Sequence, residues 1–259
     1  MPSPSDPAAG GPNAPNPPLT ITPFPDGTGQ IAVAAGWSAV RLGEGCAVLV
    51  RPDGAQITMG AGMHLVDPRG AAYAAYRDAY ATTGTIPPGV LVLPYTADPA
   101  QAFVAVNQAI AMQAGRPDPQ IHVQSSKPLA ATPNCTAAYV EATAVVNTVP
   151  VRIRGNVFLM APSPSGDWSS TVNLVCAPDA TFDEDEPALL AMFSSYVLDT
   201  DARRKQVEHL QASVAAGAAT SAPDHAAIFD RSMKDAKAAQ SRIDKSTAAF
   251  IQGMFPPDG

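Results

Sequence analysis

The last third of the chain carries its most regular pattern. Leu189, Phe193, Tyr196, Thr200, Arg203, Val207, Leu210 and Val214 recur at alternating spacings of four and three, and so do Phe229, Met233, Ala236, Gln240, Ile243, Thr247, Phe250 and Met254. Two stripes of that rhythm, joined near Gly217 and Pro223, predict a helical hairpin with a packed seam. The seam closes within the chain, closes between chains, or packs the hairpin on the rest of the fold. Its polar positions, Thr200, Arg203, Gln240 and Thr247, weaken a purely apolar core and can set register or pairing. The acidic run Asp183–Glu186 followed by Pro187 opens this region, with Asp183 as the expected N-cap. Asp199-Thr200-Asp201 either caps a second helix or marks a kink, so 184–214 reads as one helix or two.

At the other end, residues 1–24 are Pro, Ala, Gly, Ser and Asn with Asp6 as the only ionisable side chain. Such a segment buries too little apolar area to offset its ordering entropy and reads as a disordered tether. The start lacks a basic and an apolar leader region. The expectation is therefore a cytoplasmic protein, or an exported, periplasmic or cell-envelope protein whose leader has been removed.

Between these ends the signals alternate. Pro25-Asp26-Gly27 and Pro52-Asp53-Gly54 are turns that bracket short alternating runs, with Trp37 at a strand end, and predict an antiparallel meander. Gly60, Gly62, Asp67-Pro68 and Gly70 read as a loop. Tyr73, Tyr76, Arg77 and Tyr80 fall at helical spacing, and a brief strand follows over 90–93. Asp98-Pro99 is a helix start, with Phe103, Val106, Ala109 and Ile110 on one face and Gly115 as the stop. Further strands follow over 121–125, 139–147, 149–154, 156–160 and 172–176. The expected division is a tether over 1–24, an antiparallel α+β domain over 25–183 and a helical region over 184–259.

Charge limits the partners. The net charge is −7 with 15% charged residues, which disfavours nucleic acid and anionic membrane surfaces. No apolar run is long enough for an integral membrane segment. The histidines His64, His122, His209 and His225 are scattered and the cysteines Cys46, Cys135 and Cys176 form no C-x-x-C, so no metal site or cofactor is expected. Cys46 and Cys176 sit on apolar strand faces and read as buried core, whereas Cys135 reads as a loop thiol. The acidic run has no EF-hand spacing and reads as a helix start. No nucleophile elbow, P-loop or dinucleotide fingerprint occurs, so no catalytic residue is assigned.

Four segments carry a family likeness. Pro25-Asp26-Gly27-Thr28-Gly29 through Gly36-Trp37, with Arg51-Pro52-Asp53-Gly54, resembles the first strands of bacterial proteins with a Mog1/PsbP-like fold. Cys176-Ala177-Pro178-Asp179, the acidic run and Phe193-Ser194-Ser195-Tyr196 resemble that fold's last strand and helix. The resemblance covers roughly residues 24–198 and implies an antiparallel β-sheet flanked by helices. It implies assembly, adaptor or small-GTPase-binding roles and brings no catalytic residues with it. The C-terminal helices resemble tails on uncharacterised exported proteins of this kind.

The expected function is a non-enzymatic interaction, assembly or adaptor module that meets a protein partner, or itself, through the C-terminal helices. Candidate contacts are Tyr73, Tyr76 and Tyr80, the strand pair Arg152 and Arg154, and the seam residues Phe250 and Met254. The arginines can hold an anion or a partner's carboxylate. The alternatives are a small-ligand protein with a pocket between sheet and helices near Tyr73–Tyr80, and an enzyme with an unfamiliar site.

Overall fold

The computed structural model describes residues 18–83, 91–132, 134–146, 148–206 and 208–209. An antiparallel sheet runs β3 (Ser38–Gly43), β4 (Cys46–Val50), β5 (Gln56–Val66), β10 (Asp167–Pro178), β9 (Val149–Met160), β8 (Cys135–Val146) and β7 (His122–Pro128), and β6 (Leu91–Val92) joins β5 in parallel. A smaller sheet holds β1 (Leu19–Pro23), β2 (Gly29–Ala34) and β11 (Val197–Leu198). The helices are α1 (Ala71–Thr83), α2 (Pro99–Gln113) and α3 (Phe182–Ser194). The α+β class and the large antiparallel sheet follow the sequence expectation.

Strand alternation gives the large sheet two faces. On β9 and β10, Val151, Ile153, Val157, Leu159, Trp168 and Cys176 point to one side and pack with Phe103, Val106 and Ala109 of α2. Helix α2 forms where the sequence places it. Asp98 Oδ1 accepts from the amides of Ala100 at 2.9 Å and Gln101 at 3.4 Å, and Pro99 stands at the first position. On the other side, Ile57, Met59, Val175 and Ala177 pack with Ile31, Phe182, Leu189 and Met192. So α2 covers one face, and α3 with the small sheet covers part of the other.

Strand β5 corrects the reading of Gly60 and Gly62 as a loop, because both lie inside it. Gly60 adopts φ +63° and the pairing with β10 shifts register there. This bulge reverses the parity of the strand, so Ile57 and Met59 face α3 while Met63 and Leu65 face α2.

Three other expectations shift. The tether boundary moves back, since Leu19–Pro23 pairs with β2 and Phe24 is buried. Cys135 begins β8 and is not in a loop. Asp183 is not the cap of the first stripe, which takes the two-helix alternative over the described residues. Thr181 precedes α3, which ends at Ser194. Val197 and Leu198 then pair with Gln30 and Gly29. Leu189 and Met192 are fully buried against the sheet core, so burial overrides the rhythm. Asp199 Oδ1 next accepts from the amides of Asp201 at 3.0 Å and Ala202 at 2.8 Å and starts a separate helical segment over 200–206. Residues 184–198 therefore belong to the sheet domain. The second stripe, with Phe250 and Met254, lies outside the described residues.

Candidate functional site

Register brings the even-numbered side chains of β9 into rows with their neighbours. Arg152 lies beside Thr143 and Ala177, Arg154 beside Glu141 and Val175, Asn156 beside Tyr139 and Asn173, Phe158 beside Ala137 and Thr171, and Met160 beside Cys135 and Ser169. All share the face that α3 occupies, because directly paired residues project to the same side. The rows divide into two halves with different chemistry.

The first half is closed by α3. Both Arg152 and Arg154 place their guanidinium carbons 5.0 Å from the centre of the Phe182 ring, two cation–π contacts to a fully buried aromatic. Arg152 donates to Asp179 at 2.9 Å and to Asp183 at 2.6 Å. Arg154 donates to Glu186, and its Nε lies 3.4 Å from Glu141. Nearby, Arg51 donates to Asp185 at 2.7 Å and stacks over Trp37 at 5.5 Å. Hydrogen bonds to Asp53 and then to Asp185 hold its proton even more firmly than usual. The acidic run is thus the first turn of α3, and its carboxylates reach the sheet's arginines. The predicted arginine pair meets carboxylates of its own chain and clamps a helix.

Among the described residues, the second half carries no such cover. Met160 is 47% exposed, His64 and Gly62 are exposed, and Cys135, Tyr139, Asn156, Phe158, Ser169, Thr171 and Asn173 are half-buried. His64 Nε2 lies 3.2 Å from Asp167 at the edge of this surface. Burial and the nearby Glu141 push the Tyr139 phenol up from its ordinary pKa, which keeps it a neutral hydrogen-bonding group. The result is a surface with an apolar end at Phe158, Met160 and Cys135 and a polar end at Asn156 and Asn173. Sequence reasoning missed it. The available signal was β9 itself, where one parity holds arginines at 152 and 154 and apolar groups at 158 and 160.

The thiols divide by environment. Burial raises Cys46 and pushes Cys176 up to about 12, and both belong to the buried core. Cys135 is half-buried on the uncovered surface. Tyr73 and Tyr76 are half-buried on α1, and Tyr80 shares that helix with its side chain outside the described part. Among the described residues, His, Cys, Asp and Glu form no cluster able to hold a metal ion, and no helix is long and apolar enough to cross a membrane.

No family model matches the sequence, and no curated protein matches it. Solved structures do. The resemblance is to PsbP and Mog1 proteins. Cyanobacterial PsbP from Synechocystis is 12% identical with a TM-score of 0.32, covering 74% of this chain and 97% of that one. The Ran-binding protein Mog1p from Saccharomyces cerevisiae is 11% identical with a TM-score of 0.32, covering 71% and 98%. A Pseudomonas aeruginosa protein of unknown function is 10% identical with a TM-score of 0.26, covering 66% and 90%.

Proposed function

We propose that this chain is a non-enzymatic interaction module whose docking surface is the uncovered half of the α3 face. The observation that carries the reading is the contrast within one set of strands. The rows at 152 and 154 are sealed by ion pairs and an aromatic ring, whereas the rows at 156, 158 and 160 stay accessible. Met160 and Phe158 supply apolar anchors, and Asn156, Asn173 and Thr171 supply a hydrogen-bonding rim, the composition a protein interface uses.

The test places a photo-crosslinking amino acid at residue 160, and separately at residue 112, in cells that produce the protein. Met112 is 77% exposed on α2, which covers the opposite sheet face. The expected result is one polypeptide recovered from position 160 and absent from position 112. Its reconstituted binding should weaken by about tenfold in Met160→Asp, the loss of one interface anchor. Equal adducts at both positions, or binding indifferent to Met160→Asp, overturns the reading.

A further inference from the structure

We propose that the open edge of β1 is where two copies of this chain meet, pairing antiparallel about a two-fold axis at Ile21 so that their small sheets run on as one. This edge belongs to a different sheet from the docking rows at 156, 158 and 160, and either can fail without the other.

The hydrogen bonds of the small sheet fix which backbone groups of β1 face outward. Ala32 and Ala34 of β2 give their amides to Ser195 Oγ at 2.8 Å and to Met192 Sδ at 3.3 Å, so both turn away from β1. Opposed residues of an antiparallel pair turn their backbone groups either towards each other or both away. Ile21 and Leu19, the register partners of Ala32 and Ala34, therefore point N–H and C=O away from β2. Phe24, whose amide donates to the Gly29 carbonyl at 2.8 Å, has the inward parity that Thr20 and Thr22 share. Pro23 has the outward parity, so its missing N–H costs the pairing with β2 nothing. Strand β1 ends its sheet, and among the described residues no backbone group takes up the outward amides of Leu19 and Ile21.

The other sheet edges carry the features that discourage pairing. Strand β7 shifts register between Val123 and Ser125 and carries Lys127. Strand β3 shifts register between Ala39 and Arg41 and carries Arg41. Strands β6 and β11 are two residues long. Strand β1 keeps an unbroken register along Leu-Thr-Ile-Thr-Pro, has no charge, and exposes Leu19 at 37% and Ile21 at 64%.

A second copy is the occupant that fits this edge. The chain carries a net charge of −7, so self-approach is least opposed where no charge stands. About a two-fold axis at Ile21, that residue faces its own counterpart and Thr20 faces the counterpart of Thr22. Aliphatic β-branched pairs and Thr pairs are both favourable across strands. Ile21 donates to the carbonyl of its counterpart, and Leu19 donates to the carbonyl of Pro23 in the other copy. Pro23 lacks the last outward donor and limits the pairing to these bonds. Five residues of strand bury less than the roughly 1,000 Å² of a lasting interface, so the association is weak and reversible.

The experiment measures sedimentation equilibrium of the full chain from micromolar to millimolar protein, with Ile21→Lys, Ile21→Glu and Met160→Asp beside it. The parent should pass from monomer to dimer. Ile21→Lys and Ile21→Glu each set like charges directly opposite one another and should each weaken association by about tenfold or more. An equimolar mixture of the two should associate again, because each then faces the opposite charge. Met160→Asp should associate like the parent. In hydrogen exchange, the Leu19 and Ile21 amides should gain protection as the parent's concentration rises, while those of Thr20 and Thr22 stay protected throughout. A parent that remains monomeric, association indifferent to Ile21→Lys, or a mixture that does not recover overturns the proposal. Protection of Leu19 and Ile21 that appears only when the polypeptide captured at residue 160 is added assigns the edge to that partner and also overturns it.

Discussion

Replacing Gly60 by Ala separates the two costs that a left-handed glycine can hide. At Gly60, φ is +63°, and an added Cβ would stand 2.0 Å from the Gly45 carbonyl oxygen. At Gly36, φ is +84° and an added Cβ meets nothing within 4 Å. Both substitutions carry the conformational cost of alanine in the left-handed region, about 1 kcal/mol. Only Gly60→Ala adds a steric conflict, worth about 1–3 kcal/mol for an overpacked contact. The Gly45 carbonyl cannot retreat freely, because Tyr196 Oη donates to it at 2.7 Å and the Gly45 amide donates to Thr28 Oγ1 at 3.0 Å. The Gly60 amide is likewise held by Asn173 at 2.6 Å. Gly60→Ala should therefore lose about 2–4 kcal/mol and Gly36→Ala about 1 kcal/mol in urea unfolding of the full chain. In a thermal scan the gap between them should be several degrees, at about 2–4 °C per kcal/mol for a domain of this size. Equal losses would refute the argument that Gly60 is required by contact and not by backbone angle alone.

Further outcomes follow from the same geometry. Phe182→Ala removes the fully buried ring beneath Arg152 and Arg154 and should cost about 3–5 kcal/mol in urea unfolding, and a loss under 1 kcal/mol contradicts its place in the core. The Arg69 side chain first, then the amides of Tyr95 and Arg69, hold the buried Asp67 carboxyl below its ordinary 3.8. A depressed folded pKa means stability that is complete above the unfolded value and lost as pH falls toward the folded one. The parent's unfolding midpoint should thus fall as pH drops below about 4, with Asp67→Asn showing a shallower fall, and parallel curves contradict the assignment. Cys46 and Cys176 should resist a thiol reagent until denaturant is added, and ready native labelling of either contradicts its burial.

Local signals were legible where one residue type decides the geometry. Asp98, Pro99 and Gly115 marked α2 because capping chemistry acts within a few residues. The alternation of Val149–Ile153 and Val172–Cys176 marked strands for the same reason. Signals that depend on distant partners were not legible. Gly60 read as a loop because glycine marks turns and bulges alike, and only the Gly45 and Asn173 contacts separate the two. The stripe from Leu189 left one helix or two open because its apolar residues keep helical spacing throughout, and the strand partners that Val197 and Leu198 find in β2 lie far off in sequence. Arg152 and Arg154 read as able to hold an anion or a partner's carboxylate because the carboxylates of their own chain that meet them, Asp183 and Glu186, lie about thirty residues on. The uncovered surface was invisible for a related reason: a face is open only relative to what covers its neighbours, and the extent of α3 is a tertiary fact.

The account turns on whether the rows at Phe158 and Met160 receive a partner polypeptide. The most direct measurement is the methyl spectrum of the full-length protein, labelled at methionine, with a soluble nitroxide added, before and after the polypeptide captured at residue 160 is bound. Met112 at 77% exposure should broaden in both samples. Met160, 47% exposed, should broaden in the free protein and stay sharp in the complex. Broadening of Met160 in step with Met112 in the complex contradicts the account.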